Sequence, residues 1–150
     1  MLIASDHAGR AMKDELKAVI VGLGFEVEDL GTSTDDSVDY PDFGIALAEK
    51  VSAGETETGV LVCGSGVGMS IVANKFPNVR AALVSTTETA KLSKEHNNAN
   101  VLVIGGRMVG VTLASEMVKA WVEATFEGGR HQRRLDKITE VEARFSKVEQ

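Results

Sequence analysis

The sequence predicts an α/β protein whose single domain is built on a doubly wound sheet. Short apolar runs alternate with helical patterns along all 150 residues. The runs are continuously apolar rather than alternating, which is typical of parallel strands buried on both faces. The junctions are short and rich in glycine, and no long linker, repeat or low-complexity tract interrupts the chain. These observations indicate a Rossmann-like sheet of about five mainly parallel strands, followed by a C-terminal helical arm.

The strands are expected in the apolar runs at residues 1–4, 25–29, 59–62, 81–84 and 101–104. Two helices follow from apolar residues at helical spacing: Met12, Leu16, Val19, Ile20 and Leu23 in the first, and Ile45, Leu47, Ala48 and Val51 in the second. Further helices are predicted at 69–75, 87–96 and 112–126. The Gly128-Gly129 pair then breaks the pattern before a last helix at 136–147, whose apolar stripe is Ile138, Val141 and Phe145.

Composition excludes several classes of function. The net charge of −6 and the pI of about 5.1 argue against a nucleic-acid or acidic-membrane partner, because both require a basic face. A single cysteine forms no internal disulfide. The four residues before Ser5 are too short for a signal-peptide core, and no apolar run approaches the roughly 18 residues that span a membrane. We therefore expect a soluble cytoplasmic protein.

A glycine-rich loop follows the third predicted strand and precedes a helix: Cys63-Gly64-Ser65-Gly66-Val67-Gly68-Met69-Ser70. Glycines at alternate positions let the backbone turn tightly and direct several N–H groups to one point. The helix N-terminus adds partial positive charge. Such a loop binds an anion, either a resident phosphate or an oxyanion that exists only during a reaction.

Two common phosphate-binding motifs fit this loop poorly. The dinucleotide fingerprint G-x-G-x-x-G would place its last glycine at position 69, where the chain has Met69. The loop also follows the third strand rather than the first, and no acidic residue ends the next strand. A P-loop would need a Gly-Lys-Ser/Thr sequence, which is absent.

Cys63 has two interpretations. A lone cysteine at the end of an apolar strand is commonly an inert small hydrophobe. Backbone amides and a helix N-terminus beside it would instead stabilise a thiolate, which suits a base or a nucleophile. The position of the residue favours the second interpretation, although composition and spacing leave both open.

Other polar candidates lie where the predicted sheet or its helices end. Asp6 and His7 follow the first strand, Arg107 follows the fifth, and Ser85-Thr86 the fourth. In doubly wound sheets ligands bind at these carboxyl ends. Further candidates are Tyr40 in a long polar loop, His96 and Asn97 at the end of a helix, and Arg130, Arg133 and Arg134. Each also has a structural interpretation: a helix cap, a turn or a solvated charged face.

A metal centre and a serine hydrolase are both poorly supported. His7, His96 and His131 lie far apart in sequence, and no H-x-x-x-H or C-x-x-C pair provides two ligands. The G-x-S-x-G elbow of hydrolases is absent.

Five segments occur in order along the chain: Ser5-Asp6-His7-Ala8-Gly9, Asp39-Tyr40-Pro41, the Cys63-to-Gly68 loop with Ala73-Asn74-Lys75, Glu95-His96-Asn97, and Gly128-Gly129-Arg130-His131-Gln132. Together they resemble the ribose-5-phosphate isomerase B family, and the resemblance covers essentially the whole chain. It implies a Rossmann-like homodimer, or a tetramer made of two dimers, with active sites at the subunit interface. It also implies interconversion of ribose 5-phosphate and ribulose 5-phosphate without a metal or cofactor.

The same resemblance implies roles for individual residues. Cys63 would be the proton acceptor, and His96 would open the furanose ring. Asp6 and the Ser65 hydroxyl would assist catalysis, and Asp6 would also bind the sugar. The remaining implied contacts with the sugar phosphate come from His7, Tyr40, Gly64, Ser65, Gly66, Val67, Gly68, Asn97, Arg107, Arg130 and Arg134, some of them supplied by the neighbouring subunit.

Three positions depart from the family pattern. Arg10 stands where many relatives carry an aromatic residue, Ser65 replaces a threonine, and Met69 occupies the place where another branch uses a glutamate as base. The resemblance therefore assigns the chain to the cysteine-using branch.

Two other functions remain open. The first is isomerisation of another aldose phosphate, such as allose 6-phosphate, galactose 6-phosphate or a tetrose phosphate. His96, Arg130 and Arg134 favour a pentose over galactose 6-phosphate, because galactose-type relatives tend to lack them. The second is a non-catalytic module that binds a sugar phosphate or a nucleotide in the same loop.

Overall fold

The computed structural model describes residues 1–146, which form a wholly parallel five-stranded sheet. The strands are β1 (Leu2–Ser5), β2 (Glu28–Asp29), β3 (Gly59–Cys63), β4 (Ala81–Leu83) and β5 (Val101–Gly105). Their order in the sheet is β2-β1-β3-β5-β4. The chain moves outward in one direction from β1 and in the other from β3, so the order reverses between these two strands. The predicted α/β, doubly wound fold is confirmed.

Helices cover both faces of the sheet in the described part of the chain. They are α1 (Arg10–Gly22), α2 (Tyr40–Ser52), α3 (Val67–Ala73), α4 (Thr87–Glu95), α5 (Val111–Glu123) and α6 (Arg130–Phe145). Successive strand residues point to opposite faces, and this alternation divides the core in two. Ile3, Val62 and Ile104 pack with α1, α4 and α5. Leu61, Cys63 and Val103 pack with α2 and α3 on the other face.

The strand at the edge of the sheet is shorter than predicted. Residues 25–29 were expected to form it, yet only Glu28 and Asp29 pair with β1. Phe25 is exposed, and Val27 only packs against the margin of the core. An edge strand has a neighbour on one side only, so its apolar residues can leave the ladder and still cover the core.

Helices α3 and α5 begin within two residues of their predicted starts, but α2 and α6 begin well before theirs. The tyrosine and proline at 40–41 do not lie in a loop, because Tyr40 is the first residue of α2 and Pro41 occupies the first turn. Proline is favoured there, since its missing N–H has no partner to lose. The last helix begins at Arg130 rather than at 136, immediately after Gly128 and Gly129, whose φ angles are both positive. Residue 147, its predicted end, lies outside the described residues.

A buried ion pair fixes the segment that leads from β2 to α2. The Lys13 ammonium, only 1% exposed, donates to Asp29 Oδ1 at 2.8 Å and to the Thr32 carbonyl. Lys17 donates to the second carboxylate oxygen of Asp29. Breaking such a buried pair is costly, because one charge is left without a partner. Burial acts to raise the pKa of Asp29, but the hydrogen bonds from Lys13, Gly31 and Lys17 outweigh it and lower that pKa.

None of the helices within residues 1–146 is both long enough and apolar enough to cross a membrane.

Candidate active site

The loop that follows β3 holds the sulfur of Cys63 against backbone amides. Cys63 ends the strand and is 5% exposed, and its Sγ accepts a hydrogen bond from the Gly66 N–H at 3.2 Å. Gly66 caps α3 with a φ of +83°, a conformation that glycine adopts without strain. A Cβ there would lie 2.5 Å from Leu83 Cδ1 and 3.1 Å from the Gly105 nitrogen. The sulfur therefore lies at the start of a helix, as the sequence predicted.

The loop that follows β5 packs against the cysteine loop. The Gly106 and Arg107 N–H groups donate to the carbonyls of Cys63 and Gly64 at 2.8 and 3.0 Å. The Arg107 guanidinium lies 3.6 Å from the position of a Cβ on Gly64. These contacts bring an exposed positive charge over the glycine-rich loop.

Asp6 and His7 lie at the carboxyl end of the neighbouring strand β1. Asp6 is 7% exposed, and its Oδ1 accepts a hydrogen bond from the Gly9 N–H at 2.9 Å, which shapes the turn into α1. The His7 Nδ1 accepts from the Val38 N–H at 3.1 Å. A neutral imidazole that accepts at one nitrogen carries its proton on the other, so Nε2 of His7 is a donor.

Tyr40 reaches the same region from the start of α2. A Cβ on Gly68 would lie 2.4 Å from Tyr40 Cζ and 2.8 Å from its hydroxyl oxygen, so the phenol ring packs directly on Gly68. Only glycine permits this approach. The ring is partly exposed beside the first turn of α3.

These residues form one group, which we call the cysteine cluster: Asp6, His7, Tyr40, Cys63, Gly64, Ser65, Gly66, Val67, Gly68 and Arg107. Val67 and Gly68 belong to the first turn of α3, and the Ser65 hydroxyl accepts a hydrogen bond from the Val67 N–H at 3.3 Å. The cluster combines a thiol, backbone donors, a carboxylate and an arginine beside the point where strand order reverses. An anionic ligand that undergoes proton transfer fits such a site.

The other predicted site residues form a second group, the histidine cluster: His96, Asn97, Arg130 and Arg134. His96 is the residue after α4, and Arg130 and Arg134 lie in the first two turns of α6. The His96 ring stacks on that of His131, with 4.3 Å between centroids and 11° between planes. Glu127 Oε1 lies 3.7 Å from His96 Nε2 and 3.3 Å from His131 Nε2.

The two clusters lie at opposite ends of the parallel strands. The cysteine cluster follows the carboxyl ends of β1, β3 and β5, whereas α4 carries the chain from the carboxyl end of β4 back to the amino end of β5. The nine residues of α4 span about 13 Å at 1.5 Å per residue. Among residues 1–146, no hydrogen bond or ion pair joins one cluster to the other. One chain therefore does not bring His96 to Cys63.

Sequence reasoning missed the contribution of Glu127 and the contact of His131 with His96. Glu127 lies before α6 and is separated from it by Gly128 and Gly129, both with positive φ, so the helical rule for residues four apart does not apply to its pairing with His131. The sequence therefore carried no usable signal for this pairing. The contact of His131 with His96, more than thirty residues earlier, comes from tertiary packing. The distance between the histidines in sequence was therefore a misleading argument against their binding one metal ion.

A model of the ribose/galactose isomerase family matches residues 1–138. The chain belongs to this family. Ribose-5-phosphate isomerase B from Escherichia coli K12 is 47% identical to it over 139 residues, which is 93% of each protein. The predicted class of enzyme, an aldose–ketose isomerase, is thereby confirmed at the level of the family.

Solved structures of relatives agree with this membership. The ribose-5-phosphate isomerase B of Clostridium thermocellum superposes with a TM-score of 0.94 at 47% identity, over 97% of this chain and 98% of that one. The Mycoplasma genitalium enzyme, solved with bound ribulose 5-phosphate, superposes with a TM-score of 0.91 at 43% identity, over 95% of each chain. These members of the family therefore share the fold of the chain over nearly its whole length.

Proposed function

We propose that the protein interconverts ribose 5-phosphate and ribulose 5-phosphate through a cis-enediolate, with Cys63 as the base. The observation that carries the proposal is the thiol of Cys63, hydrogen-bonded to the Gly66 amide at the mouth of a loop rich in N–H donors. Relatives that cover nearly the whole chain, and that carry this activity in their names, support the choice of substrate.

The reaction needs a base and a place for negative charge. Cys63 removes the proton from C2 of the open-chain aldose, and the electron pair moves toward the carbonyl oxygen at C1. The proton of the C2 hydroxyl is then transferred to the oxygen at C1, and the same sulfur returns its proton to C1 as the carbonyl forms at C2. The charge that develops on oxygen is stabilised by the amides of residues 64–68 and by the Ser65 hydroxyl. Removing one such donor typically costs about 10²–10³ in rate.

Ribose 5-phosphate is mostly a furanose in water, so its ring must open before C2 can lose a proton. We assign ring opening to His96, assisted by Asp6. His7 and Tyr40 contact sugar hydroxyls in this arrangement. Phosphate binding comes from Arg107, Arg130 and Arg134, with Asn97 beside them, because guanidinium groups bind phosphate oxygens through paired hydrogen bonds.

This assignment requires two chains. Cys63 ends β3 and His96 follows α4, at opposite ends of the strands of one sheet. A site that uses both must combine the cysteine cluster of one protomer with the histidine cluster of another. In a two-fold dimer that contact occurs twice, so each dimer has two equivalent sites. We therefore propose a homodimer, or a tetramer built from it, with active sites at the interface.

The proposed function is tested with purified protein and a panel of pentose, hexose and tetrose phosphates in the presence of EDTA. Ribose 5-phosphate should give ribulose 5-phosphate with the highest kcat/KM, and EDTA should leave the rate unchanged. A higher kcat/KM for a hexose or tetrose phosphate would assign a different substrate. Binding of the pentose phosphate with no product and no exchange of carbon-bound hydrogen would favour the non-catalytic module instead.

Gly68→Ala tests the proposed contact between Tyr40 and the sugar. The added methyl group occupies the space of the Tyr40 ring and displaces it. We expect KM for ribose 5-phosphate to rise about 3- to 10-fold, the loss of roughly one hydrogen bond. Gly22→Ala is the matched control, because a Cβ there meets no atom within 4 Å near the end of α1. An unchanged KM in Gly68→Ala would remove Tyr40 from the sugar site.

A further inference from the structure

Three ligand atoms of the kind that bind transition metals converge where α4 and α6 meet. One ring nitrogen of His96, one of His131 and a carboxylate oxygen of Glu127 all lie within 4.8 Å of one another. The backbone holds the three residues in place, because the Glu127 N–H donates to the Glu95 carbonyl and the His131 N–H to that of Gly128. The three residues are therefore brought together within one chain.

The geometry is close to that of a bound zinc ion. Tetrahedral zinc with bonds of about 2.0–2.2 Å separates its ligand atoms by roughly 3.3 Å. Glu127 Oε1 lies 3.3 Å from His131 Nε2 and 3.7 Å from His96 Nε2. Two imidazoles and one carboxylate, with a water in the fourth position, are a set of ligands that zinc uses in enzymes.

One rearrangement is needed before an ion can bind. The two rings are stacked almost in parallel, so their Nε2 lone pairs run side by side instead of meeting. The His131 side chain is 7% exposed and fixed by its surroundings, whereas His96 is 38% exposed and Glu127 49%. His96 can therefore turn about its Cβ–Cγ bond toward an ion held first by His131 and Glu127.

We propose that His96, Glu127 and His131 form a binding site for a divalent transition-metal ion of the zinc class, and that the bound ion inhibits the isomerase. Inhibition rests on the proposed function, because metal coordination would turn the ring of His96, the residue assigned to ring opening, and occupy one of its nitrogens. Binding itself rests only on the three side chains. The ion plays no part in the reaction.

Binding is measured by calorimetric titration of the full-length, metal-free protein with ZnCl₂, and by the visible spectrum of bound Co²⁺. We expect one saturable ion per chain and a cobalt spectrum of nitrogen and oxygen ligands. Glu127→Gln should weaken binding at least about 10- to 100-fold. Its matched control is Glu123→Gln, an exposed glutamate at the end of α5 that is expected to bind zinc like the wild type.

Binding of equal strength in Glu127→Gln and in the wild type would overturn the proposal. Cys63→Ala separates this site from one that uses the thiol, since it should bind Zn²⁺ with unchanged affinity. Loss of binding in that variant, or a sulfur-to-cobalt charge-transfer band, would overturn the set of ligands. As a second test, Zn²⁺ binding is measured in His131→Gln, which lacks one of the three proposed ligands. Its thermal unfolding is measured alongside, because His131 is buried.

Inhibition is measured with ribose 5-phosphate as the substrate and, separately, with ribulose 5-phosphate. Ribulose 5-phosphate has no free hydroxyl that can close a furanose on its carbonyl, so exchange of its carbon-bound hydrogen needs no ring opening. Zn²⁺ should therefore slow the conversion of ribose 5-phosphate at least tenfold more than deuterium exchange into ribulose 5-phosphate. Glu127→Gln should be active without added metal and insensitive to Zn²⁺. Zinc that binds without slowing turnover would overturn the inhibitory role, and a protein without isomerase activity would still reveal the site by calorimetry.

Discussion

Cys63→Ala is expected to abolish both isomerase turnover and the exchange of solvent deuterium into the sugar, while binding of the sugar phosphate persists. A positioned base typically contributes about 10²–10⁴ in rate, so the loss should be at least of this size. Alanine removes the sulfur that accepts the Gly66 N–H. It leaves the glycines, Arg107 and the backbone donors in place, so phosphate affinity should change little.

The measurement is the appearance of deuterium at C1 of ribulose 5-phosphate in D₂O, followed by NMR, together with calorimetric binding of ribose 5-phosphate. Cys63→Ser is the matched control for packing, because its hydroxyl can still accept the Gly66 N–H but is a far weaker base. It should therefore be folded, competent to bind and nearly inactive. Exchange at a rate close to that of the wild type in either variant would remove Cys63 as the base.

Most of the fold could be predicted because parallel strands buried on both faces have a distinctive composition. The runs at 59–62 and 101–104 contain only apolar residues and glycine, and they form the central strand β3 and its neighbour β5. The cysteine loop could be located for the same reason, since an apolar run followed by glycines marks the end of a buried strand. When a strand is buried on both faces, its polar and glycine residues are confined to its ends, so the sequence shows where the chain turns.

The errors fall where that constraint weakens. The edge strand β2 has one neighbour, so the residues of the predicted run 25–29 do not all have to pair, and only Glu28 and Asp29 do. Tyr40 begins a helix because Pro41 suits a first turn, but a polar segment before it gave no apolar periodicity to mark the start. α6 begins at Arg130 for a similar reason, since its first turn carries charge rather than an apolar stripe.

The candidate site was predicted as a set of residues but not as an arrangement. Spacing in the sequence could not reveal that His96 and Cys63 lie at opposite ends of the strands. That arrangement follows from the direction of α4 between β4 and β5. Nor could it reveal the stacking of His96 on His131. A site divided between two chains is the arrangement that reconciles the proposed roles with this topology, and it makes a prediction that no single-chain site makes.

Two inactive variants should regain activity when their subunits are mixed. Cys63→Ala lacks the proposed base, and His96→Asn lacks the group to which we assign ring opening. In a two-fold heterodimer of the two, one site receives Cys63 from the His96→Asn chain and His96 from the Cys63→Ala chain. That site is complete, while the other lacks both groups. Random exchange of equal amounts makes half of the dimers mixed, so about a quarter of the wild-type activity should return.

The mixture is denatured and refolded together, and its turnover of ribose 5-phosphate is compared with that of the variants refolded apart and then combined. The second sample controls for exchange and should recover activity only as fast as dimers dissociate. Both variants keep their native backbone environment, since His96 is partly exposed and Cys63→Ala removes a single atom. A co-refolded mixture as inactive as its components would mean that base and ring-opening group are not shared between chains. Because one chain separates them by the length of α4, that result would also remove His96 from the catalytic site.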